Sequence, residues 1–186
     1  GSLRVSVSLN SDLNLIEDGA SSYTTLIGHQ GAVNTCHVAK NIGTVLTAGS
    51  DGRVLEWSEG RARVVTRHKG NCNGAVEANG VCVSIGWDDT VRFTDLHTLE
   101  ELAAVKLEEQ PMVLRTAGST SLVVCGHRMY LFEGQQLVDT YMLPQEVEAA
   151  DMDENGLRAV VAVEKNKKQC IDVYSLQSGK IEFECE

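Results

Sequence analysis

The first residues to suggest chemistry are His29, Thr47 and Asp51, whose types match a hydroxyl, an imidazole and a carboxylate acting in series. Such a set performs acyl transfer when the hydroxyl is exposed beside oxyanion donors and the imidazole is oriented by the acid. His68, Ser84 and Asp88 repeat the same types in the same order. A third candidate is Asp151, Asp153, Asn155 and Gly156, the opening of a calcium loop. That motif needs a bidentate Glu at its twelfth position, where this chain has Ala162, and it needs helical flanks. The flanks here alternate like strands, so the run reads as a solvated hairpin turn. The pairs Glu100–Glu101 and Glu108–Glu109 invite a glycosidase reading, but nothing in the pattern sets them across a pocket, and they read as surface charge. Six cysteines, Cys36, Cys72, Cys82, Cys125, Cys170 and Cys185, form no CxxC pair. They read as reduced, mostly buried thiols of a cytosolic protein. No phosphate loop, zinc spacing or nucleophile elbow is present. The expectation is no cofactor and no metal.

The elements that carry these residues are strands. Val5, Val7 and Leu9 alternate with Arg4, Ser6 and Ser8, and the pattern recurs at Val81, Val83 and Ile85, at Val91 and Phe93, and at Ile171 and Val173. Period two puts alternate side chains on opposite faces of a sheet. Residues 97–106, the best helical candidate, read equally well as a turn and a strand. Turns are marked by Asp18–Gly19, Asp51–Gly52, Asn79–Gly80, Glu133–Gly134, Asn155–Gly156 and Ser178–Gly179; Asn-Gly and Asp-Gly accept the positive φ of tight hairpins. Many short strands with frequent turns predict an all-β sandwich, barrel or propeller.

A repeat decides among the three. His29 and His68 are 39 residues apart, and Asp51 and Asp88 are 37 apart. A period near 40 is that of one four-stranded propeller blade. The offsets of His29, Thr47, Asp51 and Trp57 resemble the WD-repeat tetrad. The resemblance implies that the His precedes the inner strand, the hydroxyl lies on the second strand, the Asp in the next turn and the Trp on the third strand, their polar atoms satisfying one another. On that reading none of them is catalytic. The second set has Thr94 in place of the Trp and is incomplete. The expected architecture is an all-β WD-repeat β-propeller spanning 1–186, a partial ring of about four to five four-stranded blades. The blades fall at 3–27 (incomplete), 32–67, 72–106, 111–142 and 146–185, with no internal domain boundary. Exposed blade edges are expected to pair with missing blades or another chain. The leading Gly1–Ser2 pair reads as an expression scar.

The order of SVSLNSDLNLIEDG at 6–19, LIGH at 26–29, the turn and strand at 49–57 and WDDTVRFTDL at 87–96 resembles the second propeller of the actin-interacting WD-repeat family. PMVL at 111–114 and LVVCGHRMYLFEG at 122–134 fit that family's degenerate blades. The resemblance implies two linked seven-bladed propellers that disassemble cofilin-decorated actin filaments without a cofactor or a covalent step. The implied partners are actin and cofilin, and the implied location is the cytoplasm, with the cytoskeleton. The alternative is a WD-repeat scaffold or adaptor unrelated to actin; an enzyme with its site in a propeller channel is a third class, and no titratable cluster supports it.

In WD blades the residue before the tetrad Asp faces the narrow top of the ring. That residue is Trp87, a good docking anchor because an indole offers area with little rotamer entropy to lose. Asn34, Asn73 and Asn71 are expected on the same face. Arg61, Arg63, Arg67 and Lys69 form a basic cluster in which the three arginines can share one face, either docking an acidic surface or guarding a strand edge. Lys165, Lys167 and Lys168 read as a loop.

Bulk composition narrows the partners and leaves a basic one possible. The 186 residues are 42% hydrophobic and 23% charged, ordinary for a globular protein. The net charge of −10, from 26 acidic and 16 basic side chains, disfavours nucleic acid and anionic membrane surfaces. No apolar run approaches the ~20 residues of a membrane-spanning helix.

Overall fold

A computed structural model describes residues 3–7, 10–17, 22–39 and 44–184. The Gly1–Ser2 pair, the Asp18–Gly19 turn and Cys185 lie outside these residues. Every regular element among them is a strand, nineteen in all. Among the described residues no helix is long and apolar enough to cross a membrane.

The chain forms two compact units, Gly1–Lys106 and Leu107–Glu186. The first unit begins with a three-stranded antiparallel sheet of β1 (Leu3–Val7), β2 (Asp12–Glu17) and β3 (Thr24–Ile27). Two four-stranded sheets follow. One runs β4 (Val33–Ala39), β5 (Thr44–Gly49), β6 (Arg53–Ser58) and β7 (Arg61–Arg67). The other runs β8 (Cys72–Ala78), β9 (Val81–Gly86), β10 (Thr90–Asp95) and β11 (Glu101–Lys106). The second unit holds β12 (Val113–Ala117), β13 (Thr120–Val124), β14 (Arg128–Glu133) and β15 (Gln136–Met142), then β16 (Val147–Met152), β17 (Arg158–Lys165), β18 (Lys168–Ser175) and β19 (Ile181–Phe183). Each sheet is a meander in which every strand pairs with its sequence neighbour.

Tight turns make this possible. Asn79 and Gly80, at φ 52° and 82°, join β8 to β9, the double positive φ that the Asn-Gly signal predicts. Asn166 and Lys167, at φ 52° and 63°, make an equally tight turn from non-glycine residues. Lys165 and Lys168 therefore sit in strands and pair across this hairpin, not in a loop as their composition suggests. Residues 97–106 resolve into a turn followed by β11.

The core lies between sheet faces. Leu13 and Leu26 meet Val45, Leu55 and Trp57. Leu46, Ala48, Val54 and Val65 meet Cys72, Ala75, Cys82 and Leu96. In the second unit Leu122, Val124 and Met129 meet Val161, Val163, Cys170 and Tyr174. Within the first unit, first strand packs beside first strand, β4 against β8. Burying one Leu or Val side chain contributes about 1.5–3 kcal/mol.

One irregularity recurs in register. Between the third and fourth strands of every four-stranded sheet, one residue is extra: Val65, Leu102, Val138 and Glu182. Three first strands also bulge, at Asn34, Asn73 and Glu148. A bulge bends its strand and re-aims a side chain. The bulge at Val65 corrects the expected basic face. Arg63 lies opposite Glu56, whereas Arg67, beyond the bulge, lies opposite Arg53. With the alternation broken between them, Arg67 does not share the face of Arg61 and Arg63.

Candidate docking surface

The short link from β3 to β4 places His29 over the sheet β4–β7. Its Nδ1 lies 3.0 Å from Asp51 Oδ1 and its Nε2 lies 2.8 Å from Thr47 Oγ1. Trp57 Nε1 donates to the same Thr47 oxygen at 2.8 Å. An indole N–H only donates, so Thr47 accepts from Trp57. Its own proton is left for His29 Nε2, and Nδ1–H donates to Asp51. Thr47 is fully buried and His29 nearly so, so this hydroxyl is enclosed by its own network and not presented to a substrate.

The second set has the same geometry. His68 Nδ1 is 2.7 Å from Asp88 Oδ1, and Nε2 is 2.9 Å from Ser84 Oγ. Thr94 pairs with Cys82 where Trp57 pairs with Val45, so it takes the indole's place in register. Its hydroxyl is buried and has no hydrogen-bond partner among the described residues. The cations differ too. Arg53 binds Asp51 through Nε at 2.8 Å and reaches Gly28 O at 2.7 Å. Asp88 is served by Thr90 at 2.7 Å and by the Arg92 guanidinium at 3.4 Å.

These contacts set the charge states. Burial pushes the Asp51 carboxyl up, but donors from Gln30, His29 and Arg53 outweigh it and hold the group well below the usual carboxylate range. Asp88 is likewise raised by burial and then held low by His68, Lys69 and Thr90. Burial drives the His68 imidazole below its ordinary value, against the pull of Asp88. Burial also pushes the Cys72 thiol up to about 12 and Cys82 higher still. Both are free thiols, as is Cys36, and a protonated buried thiol is a poor nucleophile.

Each network pins the turn that carries Trp87 or its counterpart. Trp87 is 57% exposed. Its backbone N–H donates to Asn71 O at 2.8 Å, and the next residue is the pinned Asp88. The amide of Asn34 donates to Asn71 Oδ1 at 2.5 Å and to Cys72 O at 2.8 Å, and Asn71 donates to Asn73 Oδ1 at 3.1 Å. Asn34 and Asn73 are the bulged residues of β4 and β8. The three asparagines thus form one amide row, joined to Trp87 through the Asn71 carbonyl, and Asn34 also ties β4 to β8. The spacing from each histidine marks these residues; the bulge that aims them leaves no trace in composition.

The remaining candidates lie elsewhere. Asp151 accepts from Arg115 at 2.9 Å, and Asp153 caps a turn through Leu157 and Arg158. Among the described residues no group of three His, Cys, Asp or Glu side chains converges as a metal site. Two buried acids escape sequence reasoning. Glu56, on the β6 face turned toward β8, is bound by Arg63, which also donates to Leu96 O at 2.5 Å. Asp172, fully buried, accepts from Lys165 at 2.8 Å.

No family model matches the chain. It is 24% identical over 185 residues to a 66 kDa stress protein of Physarum polycephalum, covering 95% of this chain and 30% of that protein. Its structure is similar to the WD40 β-propeller domain of Doa1, with a TM-score of 0.79 and 14% identity, over 98% of this chain and 64% of that one. The chain therefore spans less than a third of its curated relative and under two thirds of the solved propeller. At that identity the likeness defines the fold alone. The fold is that of a WD40 β-propeller, all-β and built from antiparallel sheets, one three-stranded and four four-stranded among the described residues.

Proposed function

We propose that this chain is a non-enzymatic docking module of a WD-repeat protein, whose sheets act as rigid blades and whose loops at the Trp87 end bind a protein partner. On this reading the blades are 3–27, 32–67, 72–106, 111–142 and 146–185, the first incomplete. The observation that carries it is the exposed indole of Trp87 on a turn whose neighbours are hydrogen-bonded on both sides. A fixed aromatic gives a partner large contact area with little ordering cost, and loops held by a rigid scaffold are where binding residues concentrate.

The finer reading is that the partner is actin, engaged jointly with cofilin, and that the parent protein promotes disassembly of cofilin-bound filaments in the cytoplasm. The motif order at 6–19, 26–29, 49–57 and 87–96 supports it. Cosedimentation with actin filaments, with and without cofilin, tests it on this chain and on a Trp87→Ala variant. Enrichment that rises with cofilin and falls in the variant is expected. No enrichment on either filament removes the actin reading. The second reading is a scaffold for complexes unrelated to actin, supported by the generality of an aromatic anchor beside an amide row. It predicts a stable partner set without actin or cofilin that is lost on Trp87→Ala.

A further inference from the structure

We infer that the partner docking at the Trp87 end carries an acidic segment with an apolar side chain in its middle. The inference rests on the docking reading above and names the chemistry of what docks.

A chain of net charge −10 repels acidic partners on average. This end is different, because its acids are buried or already matched. The side chains of Asp51 and Asp88 are each 8% exposed, and both carboxylates are occupied by histidine, backbone N–H and arginine donors. Asp89 pairs with Lys106 at 2.9 Å and Glu101 with Arg92 at 2.7 Å. Arg67 and Lys69 flank His68, are exposed, and meet no carboxylate among the described residues. Lys69 is tied to the docking turn, since its backbone N–H donates to Asp88 Oδ2 at 2.9 Å, one residue from Trp87.

Gly70, at φ 94°, turns the chain beside Trp87, where an added Cβ would lie 3.7 Å from the Trp87 Cβ. The amide row of Asn34, Asn71 and Asn73 is neutral. The assembled surface is therefore one apolar plate, a neutral row of hydrogen-bonding groups and two unmatched cations. A partner complementary to it offers carboxylates around an aliphatic or aromatic residue. Nucleic acid would also supply negative charge, but a single exposed aromatic and two cations do not make the stacking platform and basic groove that single strands need.

The test uses the whole chain, with the Trp87→Phe variant giving the fluorescence background of buried Trp57. The probe is a heptapeptide of one leucine between two runs of three glutamates. Its controls replace the glutamates by glutamines or by lysines, or the leucine by serine, and a thymidine hexanucleotide is a further arm. Titration calorimetry and Trp87 fluorescence should show the acidic leucine peptide binding best, with Kd rising about tenfold on Lys69→Glu and rising with salt. Binding should vanish on Trp87→Ala and stay unchanged on Arg61→Glu, at the far end of β7. Tighter binding of the lysine peptide or the oligonucleotide, still lost on Trp87→Ala, overturns the acidic partner and leaves docking at Trp87 standing. Acidic-peptide binding that survives Trp87→Ala, or no binding in any arm, overturns the inference itself.

Discussion

At the scale of single residues, the two histidine networks differ most in Trp57 against Thr94, and that difference reaches beyond hydrogen bonding. Trp57 fills space against Gly28, where an added Cβ would lie 2.6 Å from the indole Cη2. Gly28 has no positive φ, so glycine is required there for the missing atom and not for backbone freedom. Gly28→Ala should cost about 1–3 kcal/mol by forcing the indole off its oxygen partner, read as a lower urea midpoint and a changed near-ultraviolet spectrum of Trp57. An unchanged midpoint would mean that the sheet accommodates the methyl freely. Both histidine sets were legible through their resemblance to the WD-repeat tetrad, which is complete in the first and lacks the Trp in the second. Glu56 and Asp172 were not. Each sits in an ordinary strand alternation, and only the opposing basic residue, seven positions away in both cases, makes burial tolerable.

At the scale of elements, alternation marked β1, β9, β10 and β18 and the Asn79–Gly80 pair marked the turn from β8 to β9, because a period of two and an Asn-Gly pair follow directly from backbone sterics. The bulges were invisible: one extra residue leaves composition intact and changes only what faces what. Arg61, Arg63 and Arg67 illustrate the consequence, for perfect alternation puts them together and the extra Val65 separates Arg67 from the others. What remains of the supposed basic face is an ion pair, Arg63 with buried Glu56. Arg63→Met should destabilise the chain by about 1–3 kcal/mol through the stranded acid, and Glu56→Leu combined with it should recover most of the loss. A double-mutant cycle in urea checks this; purely additive effects would show that the pair is not coupled. The same register exposes a further repeat, since Leu102, Val138 and Glu182 share the place of Val65, which is buried while the other three are exposed.

At the scale of the molecule, stability responds to protons in two windows. His68 is held below the ordinary histidine value, so the unfolded chain binds that proton first as pH falls. Its contribution is complete above about pH 6.5 and declines below it, by at most about 1.4 kcal/mol per pH unit. Asp51 and Asp88 are held below the ordinary carboxylate value. Their contribution is present above about pH 4 and is lost as acid protonates them further down. Urea midpoints should therefore fall from pH 7 to 5 and more steeply below 4, while the His68 ring resonances titrate below the normal histidine range. A midpoint that rises on acidification to pH 5 would contradict the buried neutral imidazole.

The contact between Gly28 and Trp57 limits how such a protein is assembled and varied. The glycine belongs to the end of one sheet and the indole to the next, so the seam is a shared fitting and the sheets are not freely interchangeable parts. A sheet bearing the tryptophan can be transplanted only behind one that ends in glycine. The sheet that follows Arg67 carries Thr94 instead, which suits it to a different neighbour.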